Sequence, residues 1–234
     1  MLARLYQRLA SLTLGLWLMG GVMALLASGS VAAGEGSGIN EMALFAWLGA
    51  APFALTWWLW GTLALLALLV VNTLLCSVEA LRRRAGKSGP VALLAPQLMH
   101  LGFLFIVLAH LLSASGGAHE ALQVEEGAVI GFPDGSTVRV AALDAVPGPM
   151  GMPSDYRAQL LTASGGRETA VTVSPNHPLF HGGFGIYLKQ VELVPYRAAL
   201  LEIHREPGAS WALVGALFFT AGNVALLFVR RERR

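Results

Sequence analysis

The chain has 234 residues, 55% of them hydrophobic and 13% charged, with a formal net charge of +2. Soluble domains are about a quarter charged, so this composition argues against an all-soluble protein, and the small net charge implies no nucleic-acid partner. The single cysteine, Cys76, excludes an internal disulfide, a CxxC redox pair and a CxxCH haem-attachment site, and with them a thioredoxin-like reductant or a c-type cytochrome.

Arg4 and Arg8 precede a run without charge over residues 9–34. About 20 apolar residues in a helix cross the hydrocarbon core. Residues 1–34 therefore read as a cytoplasmic N-terminus and a first transmembrane helix. "RLYQRLASL" and the small residues of "SVAAG" also have the form of a signal peptide. The apolar stretch, however, outruns the usual core of about 7–15 residues, which favours a retained anchor. Residues 35–56 read as an outer loop. Within it "NEMALFAWLGAAP" is apolar but short and ends at Pro52, which predicts a helix lying along the interface.

Residues 57–80 form the second predicted span, opening with Trp57, Trp58 and Trp60 at the level of the interfacial aromatic belt. A basic loop follows over 81–90, with Arg82, Arg83, Arg84 and Lys87. Residues 91–114 form the third span. Residues 209–234 form the fourth, with Arg230, Arg231, Arg233 and Arg234 in its tail. The loop between the first two spans carries Glu35 and Glu41 and no lysine or arginine. The positive-inside rule then places both termini and the 81–90 loop in the cytoplasm, and residues 115–208 outside.

That outer segment breaks into short alternating or β-branched runs: "ALQV", "AVIGF", "STVRVAAL", "YRAQLLT", "ETAVTV", "FGIYLKQVEL" and "AALLEIHR". Turn chemistry such as "PDG", "PGPMGMPSD" and "ASGG" separates them. Six or seven strands predict a small antiparallel sandwich or open barrel. The expected fold is a membrane α-helical protein with four transmembrane helices and a small extracytoplasmic all-β domain inserted between helices 3 and 4. The "PGPMGMPSDY" loop is its expected mobile part.

Span three, "LMHLGFLFIVLAHLL", keeps His100 and His110 in apolar surroundings. Ionisable residues inside a span are costly and usually face protein or a cavity. If the helix begins at Val91, His100 lies about 14 Å in; if it begins at Pro96, about 6 Å. His110 lies about 15 Å further along and about 80° around, so a straight helix cannot direct both at one metal ion. Each histidine is either a hydrogen-bonding group between helices or an axial ligand to haem, His100 being the stronger candidate. Span four offers only Thr220 and Asn223 as polar residues, so if haem sits here its second ligand is expected from another polypeptide.

Elsewhere, His177 and His181 have metal-ligand spacing, but Pro178, Gly182 and Gly183 oppose a helix and no third ligand is near in sequence. His119 and His204 are expected near the outer membrane surface, solvated or facing an outer ligand. Met150 and Met152 are soft ligands in principle, on a loop. No metal centre is expected. No GxSxG, Walker, HExxH or paired-carboxylate arrangement occurs.

The layout resembles the ResB (CcsB) family of System II cytochrome c biogenesis proteins. "WWLWGTLALLALLVVNTLLCSVEALRRR" is similar to that family's second span, with Asn72 and Cys76 near a basic exit. "HLGFLFIVLAHLLSASGG" is similar to its third, beginning at His100. "SPNHPLFHGGFGIYLKQ" resembles a segment late in its outer domain, through Asn176, Pro178, Leu179, Gly183 and Tyr187. The resemblance implies a subunit of the bacterial inner membrane that pairs with a ResC (CcsA)-like membrane protein, and a complex that attaches haem to apocytochrome c. Haem b in transit would be held by one histidine from each partner, and His100 occupies the position of the family's membrane histidine. The chain would be an accessory subunit of the synthase, without catalytic residues of its own. The chain departs from the family in its shorter outer domain, and His110 has no counterpart there. Two other readings are a membrane-anchored assembly protein with structural histidines and a transmembrane haem electron carrier. The carrier would need histidine pairs that the other spans lack.

Overall fold

The structure, a computed structural model, describes residues 2–34, 38–39, 42–87, 89–148, 153–164 and 167–232. It divides into two compact units, Met1–Ser115 with Gly208–Arg234, and Gly116–Pro207.

The first unit is helical: α1 Leu2–Leu9, α2 Leu12–Ala33, α3 Leu44–Ala50, α4 Phe53–Arg84, α5 Pro90–Gly116 and α6 Ala209–Glu232. Four of these, α2, α4, α5 and α6, are long and apolar enough to cross a membrane. The apolar run expected from residue 9 is broken at Ala10 and Ser11. Ser11 is extended, with φ −95° and ψ 138°, and its hydroxyl accepts from the Leu14 N–H at 3.2 Å, restarting the helix as an N-cap. Asn72 on α4 secures the break, because its Nδ2 donates to the carbonyls of Leu9 at 2.6 Å and Ser11 at 3.1 Å. Asn72 is buried, so losing the amide strands both carbonyls. Asn72→Ala is expected to cost about 1–2 kcal/mol, measured by titrating the detergent-solubilised chain with denaturant.

Lipid gives apolar side chains no reason to leave it, so helices pair where small residues let backbones approach. A Cβ on Gly15 of α2 would stand 2.7 Å from Asn72 Oδ1, and one on Gly29 would stand 2.1 Å from the Trp58 ring. The slot at Gly29 corrects the belt expectation for one tryptophan. Trp57 and Trp60 face outward, but Trp58 is buried with Leu59 against Trp47 and Leu48 of α3. Its indole N–H donates to the Leu55 carbonyl at 2.8 Å. Asn40 and Glu41, at the start of the predicted interfacial helix, lie outside the described residues; the helix itself is α3.

α5 begins at Pro90, where a missing N–H costs nothing, and runs through Pro96. His100 is thus about 15 Å into the helix and His110 about 30 Å. α5 pairs with α6 through glycines: a Cβ on Gly102 would lie 2.5 Å from the Phe219 nitrogen, and one on Gly222 would lie 2.7 Å from the Ala95 carbonyl oxygen.

Among its described residues the second unit has eight strands, β1 Ala118–Glu125, β2 Val129–Gly131, β3 Thr137–Pro147, β4 Pro153–Ser164, β5 Arg167–Val173, β6 Leu179–His181, β7 Phe184–Glu192 and β8 Ala198–Arg205. They form two antiparallel four-stranded sheets, ordered β1-β8-β7-β6 and β2-β3-β4-β5. Alternate residues fill one core. Val138, Val140, Leu160 and Val173 of one sheet pack with Ile186, Leu188, Leu201 and Ile203 of the other. The strand missing from the seven expected runs is β6. Gly182 and Gly183 sit at φ 57° and 82° between paired His181 and Phe184. This is a two-residue turn of the kind that needs positive φ at both positions. Met150 and Met152 lie outside the described residues.

Candidate functional site

The helical unit carries an open cavity of about 620 Å³ lined by residues of α2, α4, α5 and α6. Its lining is mostly apolar, including Leu16, Met19, Leu69, Met99, Phe103 and Phe219. The polar contributions are Asn72, Cys76, Gln97 and His100, with Glu79, Arg83 and Arg84 from the basic last turns of α4. A cavity of this size is within the usual range for organic cofactors.

A chain of hydrogen bonds orients His100. The Ser77 hydroxyl donates to the Thr73 carbonyl at 2.8 Å, and the Thr73 hydroxyl donates to the Leu69 carbonyl at 2.8 Å. The single proton of Ser77 can go to the Thr73 carbonyl or to His100 Nδ1, 2.7 Å from its oxygen. When it goes to Thr73, the oxygen accepts and the imidazole proton sits on Nδ1. Nε2 then carries the free lone pair. Histidines that bind metals are commonly oriented in this way, with one nitrogen donating to a fixed acceptor and the other free to ligate. His110 is exposed on α5 and is not among the cavity's lining residues. The structure does not bring the two membrane histidines together.

Gln97 is the other feature of note, because its amide oxygen is buried without a partner among the described residues. Arg83 and Arg84 stand at the same cavity, and Arg83 Nε pairs with Glu79, which also accepts from the Tyr6 hydroxyl at 3.2 Å. Cys76 is half-buried at the cavity wall.

The residues behind the outer-domain motif build turns and a hairpin. Pro175 and Asn176 form a tight turn closed by two backbone bonds between Ser174 and His177. Pro178 and Leu179 lead into β6, Gly183 supplies its turn, and Tyr187 lies on β7 with its ring 5.2 Å from that of His204. His177 and His181 separate: His177 Nδ1 meets Ser174 Oγ at 3.2 Å, and His181 Nε2 meets Ser136 Oγ at 2.8 Å.

Ser136 also binds Asp134 Oδ1, through its hydroxyl at 2.6 Å and its N–H at 2.9 Å. The Ser136 hydroxyl first, then its N–H and the nearby His181, hold the Asp134 carboxyl below its ordinary pKa. The stabilisation is therefore complete above the unfolded pKa, about 3.9, and is lost as pH falls through the lower folded value. Asp134→Asn is expected to flatten this acid limb in a melting-temperature profile from pH 6 to 2.

One further group is assembled by strand pairing. The β1–β8 register sets His119 opposite His204, and Glu202 shares their face two residues away. One ligand atom from each of the three lies within 4.8 Å of the others. His119 and His204 are 85 positions apart, so only the strand pairing could join them. The signal available in advance was the Glu-x-His alternation in a predicted strand.

No protein-family model matches the chain, and no curated protein matches it. Among solved structures the chain is similar to the cytochrome c heme lyase CcmF, at 14% identity and a TM-score of 0.47. The match covers 88% of this chain and 34% of that one, so the chain spans about a third of that protein's length. The likeness to the ResB family therefore rests on the sequence motifs.

Proposed function

We propose that the chain is a ResB-like subunit of a membrane cytochrome c maturation complex, and that His100 offers Nε2 to haem in the α2–α4–α5–α6 cavity. The observation that carries this reading is His100 lining a mostly apolar cavity of about 620 Å³ with Nδ1 held 2.7 Å from Ser77 Oγ, an arrangement that suits Nε2 to ligation. The donor set fits haem b in three ways. An imidazole is available as axial ligand, an apolar wall suits the macrocycle, and Arg83 and Arg84 suit its propionates.

Bound haem would supply the iron and vinyl groups that react with apocytochrome thiols. This chain would hold and orient it. His100 is the only histidine among the described lining residues, so a second haem-ligating group would come from a ResC (CcsA)-like partner. The positive-inside rule puts the basic end of α4, and the arginine side of the cavity, at the cytoplasm. Haem would then enter from inside, and residues 115–208 would face the outer, periplasmic side, where apocytochrome c is met.

Absorption spectra of the chain purified with its partner test the reading. Wild type should carry a haem Soret band that His100→Ala removes or shifts. A band unchanged by His100→Ala, or no band in wild type, would make His100 a structural histidine tied to Ser77 and the chain a membrane-anchored assembly protein.

A further inference from the structure

We infer that His119, Glu202 and His204 form a binding site for a divalent transition metal of the zinc class on the outer face of sheet β1-β8-β7-β6. The site is built on backbone register. His119 and His204 are directly paired across β1 and β8, with ring centroids 4.1 Å apart. Glu202 lies on the same face because side chains on a strand alternate. Glu202 and His204 are half-buried, and His119 is exposed.

The donor set is two neutral imidazoles and one carboxylate, which suits a borderline divalent ion. Donors around tetrahedral zinc lie about 3.4 Å apart, given metal–ligand bonds of about 2.1 Å. The three ligand atoms already stand within 4.8 Å of one another, so side-chain rotation can close the remaining gap. The strands need not move. Three protein ligands leave a fourth position open, the arrangement of an exchangeable rather than a sealed structural site. The two histidines rise from one sheet face side by side, so they cannot take opposite faces of a haem, which is why a bare ion is the better ligand.

Lys189 on β7 is the competitor. Its Nζ binds Glu202 Oε2 at 2.9 Å, and His204 Nε2 lies 3.2 Å from the same oxygen. A glutamate carboxyl is ordinarily ionised near neutral pH. Binding exchanges the ammonium for the metal at this carboxylate. No proton need leave Glu202 and no electron is transferred.

The test is titration of the full-length chain in detergent with Co²⁺, read by its visible d–d absorption, followed by displacement with Zn²⁺. Wild type should bind one ion with the intense bands of a four-coordinate site, and Zn²⁺ should bleach them. His204→Ala or Glu202→Gln should weaken binding by at least about 10-fold. His177→Ala, elsewhere in the domain, should leave it unchanged. Lys189→Met should tighten binding by about 2- to 5-fold, because it removes only an exposed competitor. Zn²⁺ should also raise the melting temperature of wild type, a readout that depends on no variant. Bands that persist in the His119→Ala/His204→Ala double variant, or a wild type that gives neither bands nor a thermal shift, would overturn the proposal.

Discussion

Cells that depend on this chain are expected to lose nearly all covalent haem from their c-type cytochromes when His100 becomes alanine, while the chain itself still reaches the membrane. The variant keeps α5 intact, since alanine is a good helix former and the bond lost, to Ser77 Oγ, is a single one. A merely structural histidine and a ligating one are separated by chemical rescue. Imidazole added to the His100→Ala complex should enter the space left by the ring and restore the Soret band. A structural role predicts no restored band, because nothing in the apolar wall would hold iron. Ser77→Ala gives an intermediate case: His100 remains, but its Nδ1 proton loses the acceptor that fixes the tautomer and the ring. Orienting partners of this kind are worth about 10- to 100-fold in metal affinity, so haem should be retained weakly rather than lost. Equal Soret intensity in wild type and Ser77→Ala would show that the hydrogen-bond chain does not serve the ligand.

This ordering of effects could not be read from the sequence alone, and the reason is physical. The membrane spans are legible because lipid demands long uncharged runs, and composition records such runs directly. The strands are legible because a half-buried sheet alternates. What the sequence conceals is contact between distant positions. Ser77 reads as one more small residue in a helix until α4 and α5 place it 2.7 Å from His100. Asn72, noted as a motif residue beside Cys76, binds the carbonyls of Leu9 and Ser11, more than 60 positions away. The break it secures interrupts a run that carries no charge, and mean hydropathy cannot distinguish a capped break from a continuous helix. The β6 strand was missed for a different reason. Three residues are too few to show a period, and the signal lay in the paired glycines that follow. The metal-ligating cluster needed strand register, which a one-residue error would scatter to opposite faces.

The second large effect is expected at the α5–α6 seam, with no change of charge or polarity. Gly102→Ala places a methyl group where the Phe219 nitrogen would be 2.5 Å and the Gly215 carbonyl oxygen 2.6 Å away. Both are backbone atoms of a regular helix, so neither can rotate aside and the helices must separate. Overpacking typically costs about 1–3 kcal/mol, and this position belongs at the upper end because the obstacle is main chain. Gly20→Ala is the control. It lies in α2 with nothing within 4 Å of its added carbon, and should be neutral or stabilising by up to about 1 kcal/mol. Unfolding the two variants in detergent micelles with SDS should therefore show a clear loss of stability for Gly102→Ala and none for Gly20→Ala. The seam also connects to the cavity, because Phe219, the residue that Gly102→Ala displaces, shares the cavity wall with His100. Gly102→Ala should loosen haem retention although His100 and Ser77 are untouched. Gly215→Ala presses on the same contact, 2.7 Å from the Gly102 carbonyl oxygen. The pair should cost less together than the sum of the singles, since helices forced apart by the first methyl make room for the second. Additive costs would mean that the two glycines act at independent contacts and that α5 and α6 do not move as a unit.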